Sequence, residues 1–123
     1  MDLEVYNNTG KLIFSMDGKW LYPLIEFYRF VINDNPDLTG AKLKDKVIGR
    51  AAAAIIISSG VKQCHAGLIS RKAVSYLEKY GILYSFDKIT ETILCKTEGL
   101  IDDGMTPDAA LQMILERAKG VVK

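Results

Sequence analysis

Residues 47–73 read VIGRAAAAIIISSGVKQCHAGLISRKA, and the fold turns on how this stretch is divided. Val47, Ile48 and the block from Ala51 to Ile57 are apolar on every side. A helix of that length with no polar face has to lie buried in the middle of a domain. Asp45 is placed to cap it, and Ser58-Ser59-Gly60 closes it, with Gly60 suited to the left-handed terminal position. Val61 to Ala66 then reads as a short strand, and Ser70 caps a second helix carrying Ala73, Val74, Leu77 and Tyr80 on its inner face. Gly81 ends that helix, and Ile82 to Phe86 follows as another strand. Strand, helix and strand joined by tight connections form the pattern of a parallel βαβ crossover.

Working outward, Leu3 to Tyr6 and Lys11 to Ser15 are two short runs of β-forming residues joined by Asn7-Asn8-Thr9-Gly10, which predicts a hairpin. Pro23 suits the first turn of a helix whose Leu24, Phe27, Tyr28 and Val31 share a face, and that helix stops in Asn33-Asp34-Asn35-Pro36. Leu38 to Leu43 is ambiguous and reads as a loop around Gly40. Ile89 to Cys95 is either a strand or a short helix, and Lys96 to Gly104 is a loop. Thr106-Pro107-Asp108 supplies the cap, first-turn proline and dipole-favoured acid of a last helix with Ala110, Met113, Ile114 and Arg117 on one face. The expected fold is α/β, a three-layer α/β/α sandwich around a mixed sheet, in one domain spanning residues 1–123.

Composition excludes more than it identifies. The chain has 123 residues, 49% of them hydrophobic, with 16 basic against 15 acidic side chains. One core of ordinary size is enough for such a length, and the charge balance lacks the basic excess of a nucleic-acid binder. The apolar run from Ala51 to Ile57 is far short of the roughly 20 residues that cross a bilayer. The start, Met1-Asp2-Leu3-Glu4, is acidic where a secretory signal is basic. The expectation is a cytoplasmic protein with neither membrane nor nucleic acid as partner. Cys64 and Cys95 form no CxxC pair, which favours reduced thiols over a disulfide framework.

Three stretches, Asp45-Lys46-Val47-Ile48-Gly49-Arg50-Ala51-Ala52-Ala53, then Val61-Lys62 with Ala66-Gly67-Leu68-Ile69-Ser70, then Leu77-Glu78-Lys79-Tyr80-Gly81-Ile82, resemble DUF1893, a family of small proteins known as a domain of unknown function. The likeness extends to the hairpin VYNNTGKLIFS at residues 5–15. The resemblance implies a cytidine deaminase-like fold, because the family is grouped structurally with those enzymes. It does not imply deamination. Zinc deaminases need a His or Cys two residues before a catalytic Glu at one helix start and a Pro-Cys-x-x-Cys pair at the next. Lys42 to Lys46 and Gly67 to Lys72, the stretches expected at those places, contain neither motif. The family also tends to open its last helix with Cys-Pro, where this chain has Thr106-Pro107.

Donor count reaches the same expectation independently. Cys64, His65 and Cys95 are the only nitrogen or sulfur donors of their kind, and adjacent strand residues face opposite ways, so Cys64 and His65 cannot readily share a metal. No metal and no cofactor are expected. The same geometry argues against a Cys64-His65 catalytic pair and for Cys64 as a core residue with His65 on the strand's rim.

The stronger candidate site is the pair of helix N-termini, where free N–H groups and the helix dipole attract anions. Gly67, Ser70 and Arg71 mark one of them. Lys46 and Arg50, one turn apart on a helix face with Gly49 beside them, mark the other. The bland reading is that Ser70 only caps, Gly49 only allows close packing and the bases are solvated. Two functions therefore stand side by side. One is a binding module for a small anionic metabolite or nucleotide at Lys46, Gly49, Arg50, Gly67, Ser70 and Arg71. The other is an interaction protein forming a homo-oligomer through residues 20–32, where five of thirteen residues are aromatic. If Lys46, Arg50, Ser70 and Arg71 converge on one pocket the first gains; if they scatter, the second does.

Overall fold

In a computed structural model describing residues 2–93, 100–102 and 104–122, a mixed five-stranded sheet carries four helices. The strands are β1 (Leu3–Tyr6), β2 (Leu12–Met16), β3 (Lys42–Ile48), β4 (Gln63–Ser70) and β5 (Leu83–Thr90). The helices are α1 (Tyr22–Asp34), α2 (Arg50–Ser59), α3 (Arg71–Lys79) and α4 (Pro107–Val122). The order across the sheet is β2-β1-β3-β4-β5, with β1 antiparallel to both neighbours and β3, β4 and β5 parallel.

The hairpin, the caps and the βαβ units form for the reasons the sequence gives. Asn7 Oδ1 accepts from the N–H groups of Thr9 and Lys11, each at 3.0 Å, so one side chain organises the β1–β2 turn. Ser70 Oγ accepts from Ala73 N–H at 3.0 Å, and Thr106 Oγ1 accepts from Ala109 N–H at 3.2 Å, capping α3 and α4. Gly60 ends α2 at φ +95°.

Several boundaries depart from the sequence expectation. Asp45 does not cap a helix: it lies inside β3, and α2 begins five residues later at Arg50, with Gly49 as its N-cap. The stretch expected as a loop from Leu38 to Leu43 thus ends in the central strand. Strand β4 also runs on to Ser70, four residues beyond the expected end, and the stretch expected from Ile89 to Cys95 is divided, with Ile89 and Thr90 completing β5. Leu94 and Cys95, and most of the expected loop from Lys96, lie outside the described residues.

Each parallel connection, β2–α1–β3, β3–α2–β4 and β4–α3–β5, advances across the sheet in the same direction, so right-handed crossovers deposit all three helices on one face. The packing agrees. Helix α2 touches both α1 and α3 and the sheet, and α4 lies against α2. Seven consecutive residues of α2, Arg50 to Ile56, are buried, because this helix has neighbours on every side. The described helices therefore form a layer on one sheet face with α4 stacked outside it, and not the helix layer on each face expected of an α/β/α sandwich. The opposite sheet face carries Lys42, Lys44 and Lys46 exposed and Gln63 and His65 half-buried.

Midway along the sheet the alternation of side chains changes phase. Leu43 and Ile48 are both fully buried though an odd number of residues apart, and so are Ala66 and Ile69. The change falls beside Gly67, where a Cβ would lie 2.8 Å from the Lys46 carbonyl oxygen of β3. Gly67 is there because no side chain fits. No helix among the described residues is long and apolar enough to cross a membrane.

Candidate functional site

The helix N-termini expected to bind an anion are occupied by the protein itself. Arg50 is 7% exposed. Its Nη1 donates to Ile101 O at 2.9 Å, its Nε to Lys72 O at 3.3 Å and its Nη2 to Ser75 Oγ at 3.4 Å, with the guanidinium 5.8 Å from the Tyr76 ring centre. The side chain clasps α3 and the segment before α4 to the start of α2. Tyr76, fully buried, adds a second tie through its hydroxyl to Met105 O. Ser70 is fully buried and spends its oxygen on the α3 cap.

The other expected site residues lie apart from these. Lys46 sits on β3, not on a helix turn with Arg50, and its Nζ pairs with Asp2 at 2.6 Å. Arg71 pairs through Nε with Glu91 at 2.7 Å, with both side chains mostly exposed. Gly49 is the N-cap of α2 in extended backbone, and Gly67 lies mid-strand beneath the Lys46 carbonyl. Arg50 and Ser70 come close through the adjacent starts of α2 and α3, whereas Lys46 and Arg71 serve separate surface ion pairs. The start of α2, Gly49 to Ala53, holds no His, Cys or Glu.

A concave basin lies elsewhere, at the N-terminal ends of the parallel strands on the helix-free face. Its volume is about 500 Å³, and Tyr6, the hairpin turn, Lys42, Lys44, His65 and Ser85 line it. Register builds it: Lys44 pairs with His65 and His65 with Ser85, so the three stand in one row across β3, β4 and β5. Glu4 continues that row on β1 opposite Lys44, and desolvation, with the nearby Glu4 carboxylate adding to it, raises the Tyr6 pKa. Gly40, at φ +70°, closes the rim; a Cβ there would meet Asn8 Cβ at 2.8 Å. No carboxylate lines the basin, and neither Lys42 nor Lys44 has an ion-pair partner among the described residues.

His65 contributes a polar network between β4 and β5. Its Nδ1 is 2.7 Å from Ser85 Oγ and its Nε2 is 3.2 Å from Asp87 Oδ1. Cys64, the next residue, points the other way into the core, is a free thiol, and is pushed by burial to a pKa of about 12, with the nearby Asp45 adding to the shift. The expected division of Cys64 and His65 between two faces is thus observed. Among the described residues no three His, Cys, Asp or Glu side chains cluster closely enough to hold a metal ion. Cys95, the remaining expected donor, lies outside them. The basin escaped the sequence reading because four separate segments build it; the signal available was Ser85 and Asp87, two apart on a strand and hence on one face.

The aromatic segment 20–32 is largely consumed within the chain. Phe27 is fully buried, and Phe14 of β2 packs at a tilt against Phe27 and stacks on Phe30, with ring centres 5.3 and 5.5 Å apart. Trp20 and Ile32 are what the segment leaves exposed among its large apolar residues.

A mixed sheet with helices packed on one face and a cationic basin on the other makes this an α/β protein with an open sheet surface. Residues 5–116 match the family model described as a domain of unknown function, DUF1893. The chain belongs to that family. Among solved structures it is similar to the DUF1893 family protein TM1506 from Thermotoga maritima, with 26% identity and a TM-score of 0.83 over 94% of this chain and 80% of that one. No curated protein matches it.

Proposed function

We propose that this chain is a deaminase-like scaffold without zinc-deaminase chemistry that binds a small anionic ligand, a phosphorylated metabolite or nucleotide, in the basin of the open sheet face. The observation that carries the reading is the basin's charge: Lys42 and Lys44 face a cavity of about 500 Å³ with no lining carboxylate. That volume is within the range of small-molecule pockets. Tyr6 and His65 add flat surfaces on which a base could stack. The deaminase-like relationship rests on the β3–α2–β4–α3 unit, whose two helix starts stand side by side as the deaminase motifs require. Here Arg50 fills the space between them, so this reading moves the ligand from Lys46, Gly49, Arg50, Gly67, Ser70 and Arg71 to the other end of the strands.

A thermal-shift series with phosphate, nucleoside monophosphates and triphosphates tests this, since any ligand preferring the native state raises its melting point. At 100 Kd the stabilisation is about 2.7 kcal/mol. The expected result is a rise in the wild type and in Arg71→Gln, and none in the double variant Lys42→Gln/Lys44→Gln. A rise lost in Arg71→Gln and kept in the double variant would return the site to the helix start; no rise with any ligand would end the binding reading.

Assembly is the second reading, now favoured by β5 and not by residues 20–32. Leu83, Phe86 and Ile89 are 68%, 39% and 36% exposed on a strand at the sheet's edge, and apolar edge strands pair readily with another copy. Light scattering giving 13.7 kDa at micromolar concentration would exclude a stable dimer.

A further inference from the structure

We infer that Ser85, His65 and Asp87 form a nucleophilic site that transfers the acyl group of a carboxylic ester bearing a nearby anionic group. The inference shares the basin with the proposed ligand but rests on a different observation, the chain of two hydrogen bonds through the imidazole. Asp87 Oδ1 lies 3.2 Å from Nε2, and a carboxylate accepts only, so it holds the proton of neutral His65 on Nε2. Nδ1 is then a lone pair, and it lies 2.7 Å from Ser85 Oγ, which must donate to it. A serine hydroxyl donating to an imidazole that is oriented by a carboxylate is the arrangement that activates serine nucleophiles, recognised by geometry and not by chain order. The three residues come from neighbouring strands: Ser85 is directly opposite His65, and Asp87 is two residues farther along on the same side of β5. Ser85 opens onto the basin, so an acyl carbon placed there is within reach of Oγ. Lys44, opposite His65 on the third strand of the row, supplies positive charge for the anion that develops.

The step balances within these groups and water. Ser85 Oγ adds to the acyl carbon while its proton passes to His65 Nδ1. The carbon–oxygen bond to the leaving alcohol then breaks, and that proton goes to the departing oxygen. Water repeats the sequence on the acyl-serine, releasing the acid and restoring the Ser85 hydroxyl. Nothing is oxidised or reduced. Ser85 and His65 touch the reacting atoms, and Asp87 is a positioning residue.

The test is labelling of the full chain by a fluorophosphonate, read by peptide mass, alongside hydrolysis of p-nitrophenyl acetate. The expected result is an adduct on Ser85, absent in Ser85→Ala, and a rate lowered about 100-fold or more in His65→Gln, the range general-base catalysis supplies. Ser85→Cys, a conservative change, is expected to keep a nucleophile that iodoacetamide captures. His65 is the chain's one histidine, so its ring nitrogen signals can be assigned without ambiguity. The wild type is expected to hold the Nε2–H form, Asp87→Asn to lose that preference, and Asp87→Glu to restore both tautomer and rate. No adduct on Ser85, an unchanged rate in His65→Gln, or the Nδ1–H form in the wild type would overturn the inference. A nucleotide-induced rise in melting point without labelling would overturn it while leaving the binding proposal standing.

Discussion

Asp45 sits inside β3 between Leu3 of β1 and Ala66 of β4, in the half of the sheet that α2 covers. Burial raises its pKa from 3.8 to about 7; the N–H groups of Lys46 and Val47 oppose this, and the Asp2 charge adds to it. Between those two values the native state binds more protons than the unfolded chain. Stability is therefore lost as pH rises from about 4 to about 7 and is level above that. A rise from 3.8 to about 7 corresponds to about 4 kcal/mol, a large share of a small domain's total. Asp45→Asn preserves the shape and an oxygen for the same two N–H groups but cannot ionise. Urea unfolding at intervals from pH 4.5 to pH 8 gives the comparison directly, because the opposite contribution of Asp37, whose pKa is lowered and which does not act on Asp45, is common to the two proteins. The variant is expected to match the wild type to about 1 kcal/mol at pH 4.5 and to exceed it by up to about 4 kcal/mol at pH 8. Parallel stability curves across that range would refute the burial argument, and a variant weaker at pH 8 would show that the ionised carboxylate is stabilising.

Three further outcomes follow from the packing. Gly67→Ala should cost about 1–3 kcal/mol, since its Cβ would have to displace the Lys46 backbone oxygen now 2.8 Å away, and chemical denaturation measures it. Arg50→Met should cost about 2 kcal/mol by taking from the buried Ile101 carbonyl its Nη1 donor, while the Lys72 carbonyl keeps the hydrogen bond from Ser75 Oγ, whereas Arg71→Gln, in an exposed ion pair, should shift stability by under about 0.5 kcal/mol; equal costs would contradict the division between them. Cys64 should resist iodoacetamide in the native protein at pH 8 and react once unfolded, as followed by mass mapping of its own peptide; rapid native alkylation would place it outside the core.

Elements whose interior and exterior differ sharply were legible from the residues. The hairpin, α1, α3 and α4 announce themselves by turn chemistry, caps and an apolar stripe, and the all-apolar run Ala51 to Ile57 correctly implies a helix surrounded on every side. Strand β3 was hidden for an identifiable reason. Its sequence Lys42-Leu43-Lys44-Asp45-Lys46 places three lysines on a face that stays open to water, and its inward side contains a carboxylate where an apolar residue is expected. The pattern of a half-exposed strand was present, with Leu43 between two lysines, but Asp45 before an apolar run imitates a helix cap. That misplacement put Lys46 and Arg50 on one helix turn. In the fold they belong to different elements, one paired with Asp2 and the other buried.

The same geometry explains why polar side chains were easier to find than to interpret. In open α/β sheets ligands gather outside the carboxyl ends of the parallel strands, at helix N-termini. Here that end is closed by a guanidinium bonded to two carbonyls and a hydroxyl, and by a serine spent on its own helix cap. An arginine held this way is fixed by the backbone around it, and moving it to meet a ligand would take from the buried Ile101 carbonyl its Nη1 donor. At the opposite end the row Glu4, Lys44, His65, Ser85 lies on a face that no described helix covers, and its one lysine, Lys44, lines a cavity together with Lys42. Polar groups already satisfied by the chain stabilise the fold, whereas those left facing a cavity are free to bind. By that criterion the proposed ligand belongs on the open face and not at the helix starts.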